Sequence, residues 1–362
     1  MLVSILNIYL DRIDHNLKYL KSLIPEKSEL IAVVKSNAYG HGAVEIAEFL
    51  EKRNIKRFAV ASAKEGKILR EGGINSNIIV FYPDPSDLSQ IIKYSLEPAI
   101  YSKQIWKNFT YELIKFNKSS FPVHIKFNTG LNRIGFNMNE IDWIIKNLVS
   151  SAFKINSVYS HLSSSEEEKN NPFTDNQIEL FEKIKIPFQN IDKNIKYHLL
   201  NSSGVFNYHD HNYDWFRVGI SLYGYSNNKL WDDNLIPVAE LNSKIIQIHK
   251  VKKDESVGYN SGWISKRDSL IATVAIGHAD GIGRYFGNGK TYVTVNDKRA
   301  RIIGNICMDM LMLDVTEIDC KEGDKVILFD KINSATKFAE SGDTISYELL
   351  SGIGQRVIRN YI

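Results

Sequence analysis

Cysteine is scarce in this sequence, which holds only Cys307 and Cys320 among 362 residues. Two thiols cannot supply the disulfide framework that small secreted domains depend on. A reducing compartment fits this composition best, and we expect the protein to be cytoplasmic.

Long hydrophobic runs and an excess of one charge are also missing. The opening MLVSILNIYL is apolar but has no charged leading region and no small-residue cleavage site, and Asp11 and Asp14 follow at once. It predicts a strand, not a signal peptide or membrane span. Lys and Arg number 45 against 42 Asp and Glu, with no basic block. Neither nucleic acid nor a membrane is expected as a partner.

What the chain does contain is an alternation of strand-like and helix-like runs. Amphipathic stretches such as Ala43–Arg53 and Lys103–Phe116 separate short, almost continuously apolar segments. Such segments suit parallel strands that are buried on both faces, so the pattern predicts an α/β fold built on a (β/α)₈ barrel. The eight predicted strands are Ile31–Lys35, Arg57–Ala61, Ile78–Phe81, Glu97–Tyr101, Val123–Asn128, Ile155–Ser160, Tyr197–Leu200 and Phe216–Leu222.

The pattern changes near Trp231, where helical periodicity gives way to alternating, glycine-punctuated runs. We predict a barrel domain over 11–230 and a smaller, mainly antiparallel β domain over 231–362, which the N-terminal strand 1–10 completes. The predicted strands of that domain are Ala239–Val251, Leu270–Ile276, Tyr292–Val295, Ala300–Ile306, Leu311–Val315 and Lys325–Phe329.

Polar residues follow several of the predicted barrel strands. In a (β/α)₈ barrel the chemistry lies at the carboxyl ends of the strands. Lys35 ends the first strand, His161 follows the sixth, Asn201 and Ser202 follow the seventh, and the eighth carries Arg217. Small residues after strands seven and eight offer backbone N–H groups where barrels commonly bind phosphate.

Lys35 has two readings. A lysine beside a buried strand can extend its ammonium to water, which is the usual outcome. Alternatively, a partly desolvated amine can form a Schiff base with pyridoxal phosphate. Strands one and eight are neighbours in a closed barrel, so a phosphate site beside Lys35 favours the second reading.

The order of the motifs resembles the alanine racemases, the fold-type III pyridoxal-phosphate enzymes. The resemblance extends from Asn7 to the C-terminus, and it is carried by AVVKSNAYGHG, VHIKFNTGLNRIGF, YSHLS, LLNSSG, FRVGISLYG, SVGYNSGW, IGHADGIGR and GNICMDM. It implies an isomerase that interconverts L- and D-alanine and supplies D-alanine for peptidoglycan. It also implies a homodimer whose active sites are shared between subunits.

The resemblance assigns cofactor contacts to the barrel. Lys35 corresponds to the Schiff-base lysine, which also moves the α-proton on one face of the substrate. Arg217 corresponds to the arginine that donates to the pyridine nitrogen; because an arginine keeps its proton, that nitrogen stays unprotonated and the ring is a weaker electron sink. The other residues implied in cofactor binding are Tyr39, His161, Asn201, Ser202, Gly219, Ile220 and Gln355.

Racemisation needs a second base on the opposite face of the carbon. The resemblance assigns this role to Tyr259 of the partner subunit. An ordinary phenol is a weak base at neutral pH, so His161 and Arg217 are expected to lower its pKa through hydrogen bonds. The implied substrate contacts are Arg133, Cys307, Met308 and Asp309.

Three positions depart from the family pattern. Lys126 matches a lysine that is carbamylated in many members, but Asn128 replaces the usual aspartate nearby, so carbamylation stays open. His278 replaces a tyrosine at the substrate entrance. Gln355 replaces a tyrosine expected to contact phosphate and narrow the pocket, which suggests room for serine as well as alanine.

Other functions remain as alternatives. A serine or broader-specificity racemase is one, a fold-type III decarboxylase is a second, and a non-catalytic pyridoxal-phosphate carrier is a third. A decarboxylase would need a glycine-rich phosphate segment, which is absent, and a carrier consists of a barrel alone. The GIGRYFG segment lacks dinucleotide-loop spacing, and we expect His209 and His211 to belong to a polar loop and not to a metal site.

Overall fold

The computed structural model describes residues 4–148, 151–167, 169, 171–226 and 228–362. Three residues at the edges of predicted features lie outside this range: Val3 of the N-terminal strand, Val149 of a predicted helix and Asn227 near the predicted domain join. The strands are β1 Ile5–Ile8, β2 Glu29–Val33, β3 Arg57–Val60, β4 Asn77–Val80, β5 Glu97–Ile100, β6 Phe121–Lys126, β7 Phe153–Tyr159, β8 Lys196–His198, β9 Trp215–Val218, β10 Ala239–Val251, β11 Ser256–Val257, β12 Trp263–Ile264, β13 Ser269–Val274, β14 Tyr292–Val295, β15 Lys298–Ile303, β16 Leu311–Asp314, β17 Lys325–Phe329 and β18 Ile358–Tyr361.

Helices follow most of the barrel strands, and two pack beside the second sheet. They are α1 Leu10–Leu23, α2 Lys35–Tyr39, α3 Ala43–Glu51, α4 Ala63–Glu71, α5 Leu88–Lys93, α6 Lys103–Lys115, α7 Ile141–Leu148, α8 Pro172–Ile191, α9 Ser202–Tyr208, α10 Lys229–Asp232, α11 Ala335–Glu340 and α12 Ser346–Ser351. Of the described helices, none is long and apolar enough to cross a membrane.

The first eight-stranded sheet is the predicted barrel. Its parallel strands run in the order β8, β7, β6, β5, β4, β3, β2, β9. Backbone hydrogen bonds from Asp214 N to Tyr197 O and from Arg217 N to Leu200 O bring its two ends together. Strands such as β4 are apolar on both faces because helices cover the outside while side chains fill the interior, and Ile78 and Ile79 are fully buried. The predicted fold class is confirmed.

The second eight-stranded sheet is mainly antiparallel. Its order is β13, β16, β15, β14, β17, β10, β1, β18, and β10 also pairs with β13. The N-terminal strand β1 lies antiparallel to β10. The sequence did not indicate β18, which pairs parallel with β1. Backbone contacts join the two chain ends here, since Leu10 N donates to Ile362 O.

Several predicted boundaries were wrong. The eighth barrel strand ends at Val218, and a 3-10 turn takes Ile220 out of the sheet. Lys35 lies two residues beyond its strand. The amphipathic pattern over Asp175–Ile184 predicts a helix there, but α8 begins at Pro172 and continues through Pro187 to Ile191, because its apolar face continues and Phe188 is fully buried.

Candidate active site

A cavity of about 460 Å³ opens at the carboxyl ends of the barrel strands. Most of the predicted cofactor residues meet there, although they come from distant parts of the chain. The residues lining it are Val33, Lys35, Tyr39, Ala61, Phe81, Tyr82, Lys126, Arg133, Ile134, Tyr159, His161, Asn201, Ser202, Arg217, Gly219, Ile220 and Tyr347.

Lys35 enters this cavity from a strained turn. The four residues from Ser36 to Tyr39 all have φ between 51° and 54°, a left-handed conformation that L-residues adopt at a cost. The Glu65 carboxylate ties the turn to the barrel, accepting from Ser36 N and from Ala61 N, each at 2.7 Å. Burial, with a contribution from Arg133, lowers the pKa of Lys35. Glu65 was missed from the sequence because a glutamate in a first helical turn is common.

Small residues after β8 and β9 form the floor of the cavity. Gly219 N donates to Ser202 Oγ at 2.9 Å, which brings these two predicted phosphate contacts together. A Cβ at position 219 would collide with the hydroxyl of Tyr39, so glycine is required there. Asn201 caps α9 by accepting from Gly204 N at 2.9 Å. Backbone N–H groups and hydroxyls of this kind suit an anionic group.

Arg217 is almost fully buried between the barrel interior and the cavity. Its guanidinium donates to the Ser160 and Leu199 carbonyls and to His198 Nδ1, all at 2.7 Å, and one Nη2 hydrogen is shared with His161 Nδ1 at 3.1 Å. All four bonds use Nη1 and Nη2. Burial lowers the pKa of Arg217 to about 10, which still leaves it protonated at neutral pH.

Lys126 and Arg133 complete a group of cations around the cavity. Burial and the charges of Arg217, Arg133 and Lys35 lower the pKa of Lys126 to about 7. Lys126 forms no salt bridge within the described residues, and its amine lies 5.6 Å from the Tyr159 ring centroid. The cavity therefore favours anionic ligands and keeps part of the Lys126 population as the free amine near neutral pH.

The predicted site residues of the second sheet do not reach this cavity in the same chain. Tyr259 is 66% exposed and Met308 is 58% exposed. Asp309 accepts from Arg356 at 2.7 Å. Cys307 lies beside these residues and is partly buried. The exposed side chains form a surface that a second chain could contact.

Comparison with known proteins agrees with this architecture. Residues 8–227 match a family domain described as alanine racemase, N-terminal domain, and residues 238–361 match alanine racemase, C-terminal domain. The alanine racemase of Clostridium novyi is 35% identical, with 98% of this chain and 94% of that protein covered. Alanine racemase 1 of Caldanaerobacter subterraneus subsp. tengcongensis is 32% identical, covering 98% and 93%. The alanine racemase structure of Clostridium difficile 630 aligns with a TM-score of 0.94 at 30% identity, covering all of this chain and 96% of that one.

The chain belongs to the alanine racemase family.

Gln355 is the predicted cofactor residue that the structure places elsewhere. It is exposed and lines a separate cavity with Ser36 and Asn37. Tyr347, eight residues earlier on α12, lines the main cavity and packs edge-on against Tyr39 with ring centroids 5.9 Å apart. The chain turns away after Gly352, so the two positions face different cavities. The helical ISYELL pattern around Tyr347 was the signal that could have identified it.

The structure places the two weaker motifs in a short turn and at the end of α9. The GIGRYFG segment contains one 3-10 turn, Arg284–Phe286, and follows another, His278–Asp280; no α-helix comes directly after it. His209 donates from Nδ1 to the backbone carbonyls of Val205 and Phe206 in α9, both at 3.2 Å. Among the described residues no group of three or more His, Cys, Asp or Glu side chains could hold a metal ion.

Proposed function

We propose that this chain is a pyridoxal-phosphate-dependent alanine racemase that works with two bases. One observation carries the proposal: Lys35, just after β2, and Arg217, on the neighbouring strand β9, share a cavity whose floor suits an anionic group. Family membership agrees with it. The same family supports the expected isomerase chemistry.

The cavity residues fit the cofactor. Lys35 would hold it covalently, since burial keeps its amine easier to deprotonate than an ordinary lysine. The hydroxyls of Tyr39 and Ser202 and the backbone at Gly219 would hold the phosphate. The bonds of Arg217 leave its Nε without a protein acceptor among the described residues, so it can donate to the ring nitrogen. When bound, the cofactor would supply stabilisation for negative charge on the α-carbon.

The chain's own groups would move the protons. Lys35 serves one face of the substrate α-carbon, and Tyr259 of a second subunit serves the other. Arg133 would bind the substrate carboxylate, with Met308, Cys307 and Asp309 of the partner beside it. The exposure of Tyr259 and Met308 supports a homodimer with shared sites, because neither reaches the cavity of its own chain.

Several wider expectations belong to this proposal. The functional unit would comprise the barrel domain 11–230 and the β domain 231–362 with strand 1–10. The protein would act in the cytoplasm and supply D-alanine for peptidoglycan. Lys126 would be carbamylated, because a pKa of about 7 provides free amine and the added carboxylate would offset the surrounding cations.

The direct test incubates the cofactor-loaded protein in deuterated water with L-alanine and, separately, L-serine. Deuterium at the α-carbon together with D-alanine is the expected result. Release of carbon dioxide would indicate a decarboxylase instead, and no exchange at all would indicate a cofactor carrier. The serine alternative has lost its main support, because Gln355 lies outside the cavity.

A further inference from the structure

Five polar side chains cross the interior of the barrel in a continuous line. Glu97 lies at the amino end of β5, His124 on β6, Ser157 on β7, His198 on β8 and Arg217 on β9. All five are buried, and the three in the middle are fully so. Buried polar groups in a barrel of apolar side chains are costly unless each one is hydrogen-bonded.

We call this line of side chains the Glu97–Arg217 chain. A short hydrogen bond joins every neighbouring pair in it. Arg217 Nη1 lies 2.7 Å from His198 Nδ1, and His198 Nε2 lies 2.8 Å from Ser157 Oγ. Ser157 Oγ lies 2.7 Å from His124 Nδ1, and His124 Nε2 lies 2.8 Å from Glu97 Oε2. The line therefore connects the cavity with the opposite end of the barrel.

With both histidines neutral, the chemistry of the two ends fixes the direction of every bond between them. A guanidinium only donates, so His198 Nδ1 must accept and its Nε2 must carry the proton. Ser157 then accepts from His198 and donates to His124 Nδ1. His124 donates from Nε2 to Glu97, whose ionised carboxylate only accepts. Both ends demand the same direction, so no link is frustrated.

The ends also carry opposite charges. Arg217 forms no salt bridge with a carboxylate in the part of the chain that the structure describes. Glu97 holds a buried charge that Asn77 and Asn156 stabilise by donating to it. Burial raises the pKa of Glu97, but the hydrogen bonds from His124, Asn77 and Asn156 outweigh it and leave that pKa below the ordinary value. Because hydrogen bonds in a low-dielectric interior polarise one another, the line of bonds couples the charged side chains of Glu97 and Arg217.

We propose that Glu97 is a positioning residue for the racemase reaction: acting through His124, Ser157 and His198, it holds Arg217 in one orientation toward the cavity. The inference rests on the proposed function of Arg217. Glu97 itself does not line the cavity, so it acts only through the chain.

A double-mutant cycle tests this. Glu97→Met removes the terminal acceptor at similar volume. Ser157→Ala interrupts the Glu97–Arg217 chain between His124 and His198, and a third variant combines both changes. Each single change should lower kcat/KM for alanine about tenfold, which corresponds to one charge-assisted hydrogen bond. The double variant should lose no more than the worse single variant, because both changes break the same chain.

Histidine tautomers give a readout that does not depend on activity. In protein labelled with ¹⁵N-histidine, both His124 and His198 should carry the proton on Nε2 in the parent. In Glu97→Met, His124 should populate the Nδ1–H form, because nothing any longer accepts from Nε2. Unchanged tautomers together with a kcat/KM within about twofold of the parent would overturn the proposal, as would additive losses in the cycle.

Asp214→Asn is the matched control. It removes a carboxylate just before β9 that accepts from Tyr197 N at 2.9 Å but takes no part in the Glu97–Arg217 chain. It should leave kcat/KM unchanged and add to Ser157→Ala. If Glu97→Met does not fold, retained activity in Ser157→Ala alone is enough to reject the proposal. A parent without racemase activity but with the expected tautomers would refute the proposed function and leave the chain's direction standing.

Discussion

Arg217 donates a hydrogen bond from Nη2 to Nδ1 of His161 over 3.1 Å. Since a guanidinium cannot accept, the proton of neutral His161 must lie on Nε2. Burial and the nearby charge of Arg217 hold the pKa of His161 well below its usual range. His161 is therefore a fixed neutral donor beside the cavity, suited to stabilising a phenolate on an incoming tyrosine.

Replacing His161 should change the pH dependence of the reaction. His161→Phe removes the Nε2 donor that would stabilise the Tyr259 phenolate in the assembled site, so the acidic limb of the kcat/KM profile should move to higher pH. We expect a loss of about tenfold at pH 7, the effect of one hydrogen bond to a charged group. His161→Gln, which keeps a donor, should restore part of the activity. An acidic limb at the parental pH would contradict the role of His161.

Borohydride reduction should trap the cofactor on Lys35 and not on Lys126, although both amines line the cavity. Lys35 follows β2, whose neighbour β9 leads to the proposed phosphate contact Gly219, whereas Lys126 ends β6, four strands away around the sheet. Peptide mapping after reduction checks this. Lys35→Met should give no adduct and Lys126→Met a normal one. The reverse pattern would show that Lys126, and not Lys35, holds the cofactor.

Mixing two inactive variants should restore activity if the sites are shared. Lys35→Ala and Tyr259→Phe each remove one base, and a dimer containing one chain of each has a single intact site. Random reassociation of equal amounts should recover about a quarter of the parental activity. Each variant alone, treated in the same way, provides the control. Recovery no greater than the sum of the two would place both bases in one chain.

Substitutions at Tyr347 and Gln355 should have different effects on the affinity for the cofactor. Tyr347→Phe should weaken binding of pyridoxal phosphate several-fold, roughly the contribution of one hydrogen bond to a charged group, because Tyr347 lines the cavity next to Tyr39. Gln355→Tyr is the control: it lies outside the cavity and should change neither the affinity nor the ratio of serine to alanine turnover. A large change in that ratio would indicate that Gln355 contacts the substrate cavity after all.

Acid should destabilise the fold through buried histidines. Burial lowers the pKa of His41 to about 4, and it lowers those of His161 and His198 as well. Below pH 6.5, about the ordinary pKa of histidine, these histidines bind protons in the unfolded chain but stay neutral in the folded one. The free energy of unfolding therefore falls as the pH drops from about 6.5 toward 4. His41 alone should contribute about 3 kcal/mol over that range.

Chemical denaturation at fixed protein concentration between pH 4 and 8 measures this effect. The contribution of these histidines should be constant above about pH 7, where the groups are neutral in both states. His41→Phe keeps an aromatic ring stacked on Tyr223, whose centroid lies 4.6 Å from that of His41. Its stability should fall less steeply with acid than that of the parent. Parallel curves for the two proteins would show that His41 is not a source of the acid sensitivity.

The sequence by itself determined the barrel, the second sheet and most of the residues that meet in the cavity. Hydrophobic periodicity depends on local spacing, and in a parallel barrel the carboxyl ends of the strands always share one face, so positions such as Lys35 and Arg217 could be brought together without coordinates. The motifs around them identified the family for the same reason, since they are contiguous in the chain.

Only the tertiary structure decided which side chain of a closely spaced pair faces the cavity. Tyr347 and Gln355 lie eight residues apart, and the path of the chain after α12 sends them to different cavities. The Glu97–Arg217 chain was equally invisible, because its members come from five separate strands and their hydrogen bonds depend on distances across the barrel interior. Contacts of that kind carry no local pattern, and folding alone brings them within reach.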